Sequence, residues 1–232
     1  MPGCYQRLPA FLTLVLLCGC GGGSSGPSTA VATSTTPMPM SVTTPTQPFS
    51  FYATLDARYN DQNYILTTSE TPNPGTVEFQ GQITNSSAIS STVIDVGTGA
   101  VVFAEGGTVY FLESPFSPIG EALSVNGVQA TLIVTSFTPF PANLTVGDSG
   151  PIESGTYYDA NNKTIGTLAE TYTVTANDSA SVWLSVHTEK TVQGTATAET
   201  DTFLVQSSGY ALLAWVQLTM NSATVTFKRP LL

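Results

Sequence analysis

The sequence predicts an all-β domain, an antiparallel meander of long strands, barrel-like or two-layer, after a disordered N-terminal tether. Three observations predict it. Apolar residues recur mostly with period two, the spacing that puts alternate side chains on one face of a strand. Turn-forming pairs separate the apolar runs. No stretch of useful length carries the 3.6-residue repeat of an amphipathic helix.

The elements follow in chain order. Val77, Phe79 and Ile83 alternate with Glu78, Gln80 and Gln82. The runs 99–104, 108–112 and 129–137 are rich in β-formers. Gly106-Gly107 reads as a turn between the first two runs. Asn126-Gly127 is the strongest hairpin signal, because a type I′ turn needs φ > 0 at both central residues. The C-terminal third is the most regular, with strands expected near 164–176, 179–192, 195–207, 210–220 and 222–228. Asn161-Asn162, Asn177-Asp178, Ser208-Gly209 and Asn221-Ser222 supply its turns.

Within that meander Val182, Leu184 and Val186 share one face, and Trp183, Ser185 and His187 share the other. Leu212, Ala214, Val216 and Leu218 alternate with Leu213, Trp215 and Gln217, so this strand is apolar on both faces and both should be covered. At about 3.4 Å per residue the longest strands exceed roughly 35 Å. A flat sheet of that size leaves exposed edges, which closure into a barrel or packing against the N-terminal strands removes. The faces expected to point outward carry Thr, Ser and Ala rather than an aliphatic band with aromatic girdles, which argues against a membrane-spanning barrel.

Composition narrows the functional classes. The chain carries a formal net charge of −10, with only six Lys and Arg, and those are scattered. A basic face for nucleic acid or anionic membrane is therefore excluded. Residues 49–232 suffice for one domain with a sizeable core. Residues 20–48 are Gly-, Ser-, Thr- and Pro-rich without a charged side chain, and read as a tether spanning about 30 Å. The glycines at 21–23 are not a phosphate cradle, since no strand precedes them and no helix follows. No cofactor pattern is found.

The N-terminus has the three parts of an export signal: a short n-region ending at Arg7, an apolar run over 8–17, and small residues after it. The apolar run is about half the length of a spanning helix, which needs roughly 20 residues. Leu17-Cys18-Gly19-Cys20 resembles the lipobox of a bacterial lipoprotein. The resemblance implies that 1–19 is a cleaved signal peptide and that Cys20 carries the lipid, a palmitate-type anchor in the membrane. It further implies a cell-envelope location, with Gly21 favouring the outer membrane in a Gram-negative host. Cys4 and Cys18 would leave with the signal, so the mature chain would hold no disulfide and no thiolate site.

The candidate chemistry is thin. Gly147-Asp148-Ser149-Gly150-Pro151 resembles the segment around the nucleophilic serine of trypsin-like proteases. It has one glycine before the proline where that family has two, and the single histidine, His187, lies downstream. A serine without a positioned base is not activated, so no catalytic residue is assigned. His187 and Glu189 share a strand face and read as surface residues. Asp159, Asn161 and Asn162 have a calcium-like composition but read as a hairpin loop, and no metal site is assigned. Trp183, Tyr157 and Tyr158 are the weak ligand-contact candidates, because aromatic rings on strands can stack on sugars. The expected function is a lipid-anchored envelope protein with a non-catalytic binding or structural β domain. Its partners would be an envelope protein, a glycan or a hydrophobic ligand. A surface adhesin or glycan-binding module is the alternative, and a hydrolase follows behind it.

Overall fold

In the computed structural model residues 38–39, 51–113, 116–125, 128–141, 143–207, 211–220 and 223–229 are described. The segment read as a signal peptide, Cys20 and most of the segment read as a tether therefore lie outside the described residues. Among the described residues no helix is long and apolar enough to cross a membrane.

The strands are β1 (Met38–Pro39), β2 (Phe51–Tyr59), β3 (Gln62–Pro72), β4 (Val77–Phe79), β5 (Gln82–Asp95), β6 (Val101–Glu113), β7 (Phe116–Val125) and β8 (Val128–Phe137). They continue as β9 (Asn143–Leu144), β10 (Ser149–Tyr158), β11 (Thr164–Ala176), β12 (Ser181–Val192), β13 (Thr195–Gln206), β14 (Ala211–Met220) and β15 (Ala223–Lys228). Twelve of them close into an antiparallel barrel. The order around it is β2, β3, β5, β6, β7, β8, β10, β11, β12, β13, β14, β15 and back to β2. Of the two architectures the alternation allowed, the chain takes the closed one, in which each of the twelve barrel strands has a neighbour on both sides.

Several local expectations change. Val77, Phe79 and Ile83 do not line one strand. The chain turns at Gln80-Gly81, both with positive φ, and pairs β4 back on β5. Phe79 then stacks on Tyr110 with centroids 4.0 Å apart, while Val77 and Ile83 face solvent. Gly106-Gly107 is no turn, because β6 runs straight through it. A Cβ on Gly107 would collide with the Ala122 carbonyl, so glycine is present to let β7 approach closely. Met38–Pro39, within the segment read as tether, pairs with Asn143–Leu144.

The strand expected to be apolar on both faces changes phase midway. Ala214 of β14 is an extra residue between the pairs Phe203–Leu213 and Thr202–Trp215. This bulge turns Leu213, Val216 and Leu218 inward together. The expected grouping of Leu212, Ala214, Val216 and Leu218 is broken by it. Among the described residues no second layer covers the outside. There Trp183 and Trp215 pack on each other, with centroids 4.7 Å apart.

Inward-facing apolar residues form two clusters. The larger holds Leu55, Val93, Phe103, Val174, Val186 and Phe203, among others, and the excursion between β8 and β10 adds a fully buried Leu144. The smaller holds Ile89, Val109, Leu123, Leu132, Tyr157 and Leu168. What lies between them is polar.

Candidate functional site

Four strands show how the polar layer arises. On β6, Glu105 lies between Phe103 of the larger cluster and Val109 of the smaller. Glu153 lies between Ile152 and Tyr157 on β10, Glu170 between Leu168 and Val174 on β11, and Ser91 between Ile89 and Val93 on β5. Period two points each of these polar side chains inward with its apolar neighbours. On β10 the extra residue Ile152 forms a bulge that sets Glu153 in the inward phase of Tyr157.

Six carboxylic side chains are buried in this layer: Glu105, Glu121, Glu153, Glu170, Glu199 and Asp201. Lys190 is the one buried cation among the described residues. Its Nζ stands 3.4 Å from Glu105 Oε1 and 5.0 Å from the centre of the Tyr157 ring. β12 and β6 are separated by four strands one way round the barrel and six the other, so this pair spans the lumen. The register is equally specific. Glu153 is directly opposite Glu170, Glu170 opposite Thr188, and Thr188 opposite Glu199. Thr188 Oγ1 donates to Glu170 Oε1 at 3.1 Å.

Like charges directly opposite each other destabilise a sheet, and unpaired buried charges cost still more. Four of the carboxyls, Glu153, Glu170, Glu199 and Asp201, are pushed toward the protonated form. Burial, then the charges of Glu121 and Asp201, raises Glu170 to about 8 against the hydrogen bond from Thr188 and the Lys190 charge. Burial raises Asp201 to about 7, with a hydrogen bond from Glu199 opposing the rise. Glu199 is pushed well up by burial, then by the charges of Asp201 and Glu105 and by its hydrogen bond to Asp201. Glu153 is pushed well up by burial, then by Glu170 and Glu121. Tyr157 is held as a neutral phenol by burial and the surrounding carboxyls.

Paired carboxyls with separated proton affinities are the raw material of acid–base catalysis. Here they face one another in the barrel interior, each less than a tenth exposed. Among the described residues no three acidic or histidine side chains converge as a metal site requires.

The sequence-derived candidates are scattered. Tyr157 points into the barrel and is 1% exposed, so it lies away from the outer wall. Tyr158 and Trp183 both lie on the outer wall, but Tyr158 pairs with Thr164 and Trp183 with Thr175 at the far end of β11. That places them roughly 35 Å apart, so the three aromatics form no common platform. Trp183 instead joins Leu204 and Leu212, directly opposite in turn on β13 and β14, and Trp215. This half-buried apolar group interrupts a wall of Ser, Thr and Ala.

Ser149 and His187 are kept apart by β11, where they pair with Thr173 and Thr171 respectively. Two strand spacings separate them, about 10 Å. His187 Nδ1 shares a hydrogen bond with Thr200 Oγ1 at 2.9 Å, and Nε2 is 3.5 Å from Glu189 Oε1. Asp148 accepts the Thr145 N–H at 2.7 Å, so the Gly147–Pro151 segment includes a turn and the start of β10. Asp159 accepts the N–H groups of Asn161 and Lys163, which hold its carboxyl below the usual range with that of Lys163 counting most. This is the hairpin loop expected there.

The carboxyl layer was missed from sequence, although a signal exists. Glu199 and Asp201 are in phase with Phe203 and Val205, and Lys190 is in phase with Val182, Leu184 and Val186. The chain matches no protein-family model, no curated protein and no solved structure.

Proposed function

We propose that this chain is a cell-envelope lipoprotein, anchored by lipid on Cys20 and carrying a non-catalytic β-barrel that acts through its outer wall. The observation that best supports an outward-acting barrel is the lumen-spanning Lys190–Glu105 pair, with both side chains out of solvent. A charged, filled interior is poorly suited to a hydrophobic ligand, since binding would have to desolvate or displace that pair. A protein of the envelope is the favoured partner class. Anchoring follows from Leu17-Cys18-Gly19-Cys20, and two or more acyl chains hold a protein on a membrane stably. Mass spectrometry of the mature N-terminus tests it. Acyl groups on Cys20 and release of the domain from membranes in Cys20→Ser, but not in Cys18→Ser, are the expected results. A mature N-terminus without acyl groups ends the lipoprotein reading.

A glycan-binding or adhesin role is the second reading. It is favoured by the outer-wall group of Trp183 and Trp215, which lies beside the Ser185 and Thr202 hydroxyls, themselves 3.0 Å apart. Apolar rings next to hydroxyls suit a sugar, which has one apolar face and a polar rim. Binding to a glycan array that disappears in Trp183→Ala with the fold intact would put this reading first.

A further inference from the structure

We propose that the interior carboxyl layer is a proton-held latch: while its members share protons the barrel stays shut, and their ionisation releases it at the seam between β2 and β15. Geometry carries the first half. Glu153, Glu170, Thr188 and Glu199 form one directly opposed row across four adjacent strands, with Asp201 next along β13. Directly opposed side chains have Cβ atoms about 5 Å apart, so a neutral Glu153–Glu170 pair can share a proton but an ionised pair repels.

The groups facing the row offer little to offset that charge. Glu70 enters the interior from β3, Glu105 from β6, Glu121 from β7 and Tyr157 from β10. Lys190 of β12 is the sole cation there among the described residues, and it is already on Glu105. Asp201 Oδ1 and the Ser91 hydroxyl are buried without a hydrogen-bond partner, so an ionised Asp201 has no full solvation shell. Of the other inward residues, Thr68 and Thr197 are uncharged and Leu55, Leu132, Val216 and Phe227 are apolar.

The second half rests on how the barrel closes. Every other neighbouring pair of barrel strands is joined through at least six opposed positions. Among the described residues β15 and β2 are joined through one, Lys228 opposite Asp56. Interior repulsion acts on all twelve strands, and it opens the one held least.

The pH window follows from the burial-raised affinities. Asp201 keeps its proton to about 7 and Glu170 to about 8 in the fold, whereas unfolded carboxyls release theirs near 4. Folding therefore takes up protons between these limits. The part that Asp201 and Glu170 contribute is full below about pH 4, weakens as pH rises and is lost above about 8. Two such groups lower the folding constant about a hundredfold per pH unit between roughly 5 and 7.

Hydrogen exchange and urea unfolding of the full chain at pH 5 to 9 test this, with exchange corrected for its intrinsic pH dependence. Expected are loss of stability with rising pH and early loss of amide protection in β2 and β15. Glu170→Gln and Asp201→Asn cannot ionise, and each should reduce the slope by about tenfold per pH unit. If one variant fails to fold, the other is read alone. A Cys pair replacing Asp56 and Lys228 should, once oxidised, restore seam protection at pH 8. A wild-type slope of the opposite sign, a slope unchanged in the variants, or exchange that rises evenly around the barrel overturns the latch. So does millimolar Ca²⁺ restoring protection at pH 8, since the layer would then be a cation site.

Discussion

Lys190 and Glu105 meet across the lumen, Nζ to Oε1 3.4 Å apart, from positions 85 residues apart in the chain. Local strand pairing does not force this meeting. It exists because period two turned both side chains inward and the closed ring placed β6 across from β12. The pair fixes the barrel's cross-section as a purely apolar filling would not, since an ammonium inside must keep its carboxylate. Lys190→Met should cost about 3–5 kcal/mol, because it leaves a buried carboxyl without its counter-charge. The double variant Lys190→Met with Glu105→Gln should recover part of that loss. Urea unfolding decides it, and a single variant as stable as the wild type would show that the pair holds nothing.

Close strand approach can be tested separately from charge. A Cβ on Gly166 of β11 would overlap the Thr191 carbonyl of β12. A Cβ on Gly106 of β6 would meet its nearest neighbour, the Ile89 carbonyl, at an ordinary 3.5 Å. Gly166→Ala should therefore destabilise by roughly 1–3 kcal/mol, and Gly106→Ala should change little. Thermal unfolding of the two variants side by side makes the comparison, and equal effects would contradict it.

The class of fold was legible because alternation is local. Val182, Leu184 and Val186 announce an inward face without any tertiary information. Closure was left open because the β3–β5 and β15–β2 contacts join strands whose relation no local pattern records. Phase errors came from single extra residues. Ala214 shifts β14, and nothing in Leu212–Leu218 marks which residue bulges. Gly106-Gly107 looked like a turn because the same residue type serves turns and close strand contacts. The carboxyl layer was hidden by the rule that acidic residues face water. Glu170 and Asp201 break that rule together, and each is tolerable inside only because others nearby share its protons or its neighbours.

The outer wall gives a clear expectation for the most tempting serine. Ser149 and His187 face the same side of the sheet with β11 between them, and His187 is already engaged by Thr200 and Glu189. A general base must come within about 2.6–3.2 Å of the proton it takes, and a separation of two strands does not allow that without remodelling the sheet. Ser149 should remain unlabelled by a broad fluorophosphonate probe. Labelling that disappears in His187→Ala would make the hydrolase the leading reading.

Trp183 and Trp215 are the only tryptophans in the chain, so intrinsic fluorescence reports on one spot of the outer wall. They lie on β12 and β14 with β13 between them and cover each other at a 49° tilt. An aromatic pair of this kind adds about 0.5–1.5 kcal/mol beyond the area it buries. Neither ring reaches the interior, so removing one leaves the inward clusters untouched. Trp183→Ala should cost about 1 kcal/mol, shift the remaining Trp215 emission to the red and make it more accessible to acrylamide. The urea transition should stay cooperative. A loss of cooperativity would mean that this outer group is part of what holds the barrel together, and would remove it as a free surface for a partner.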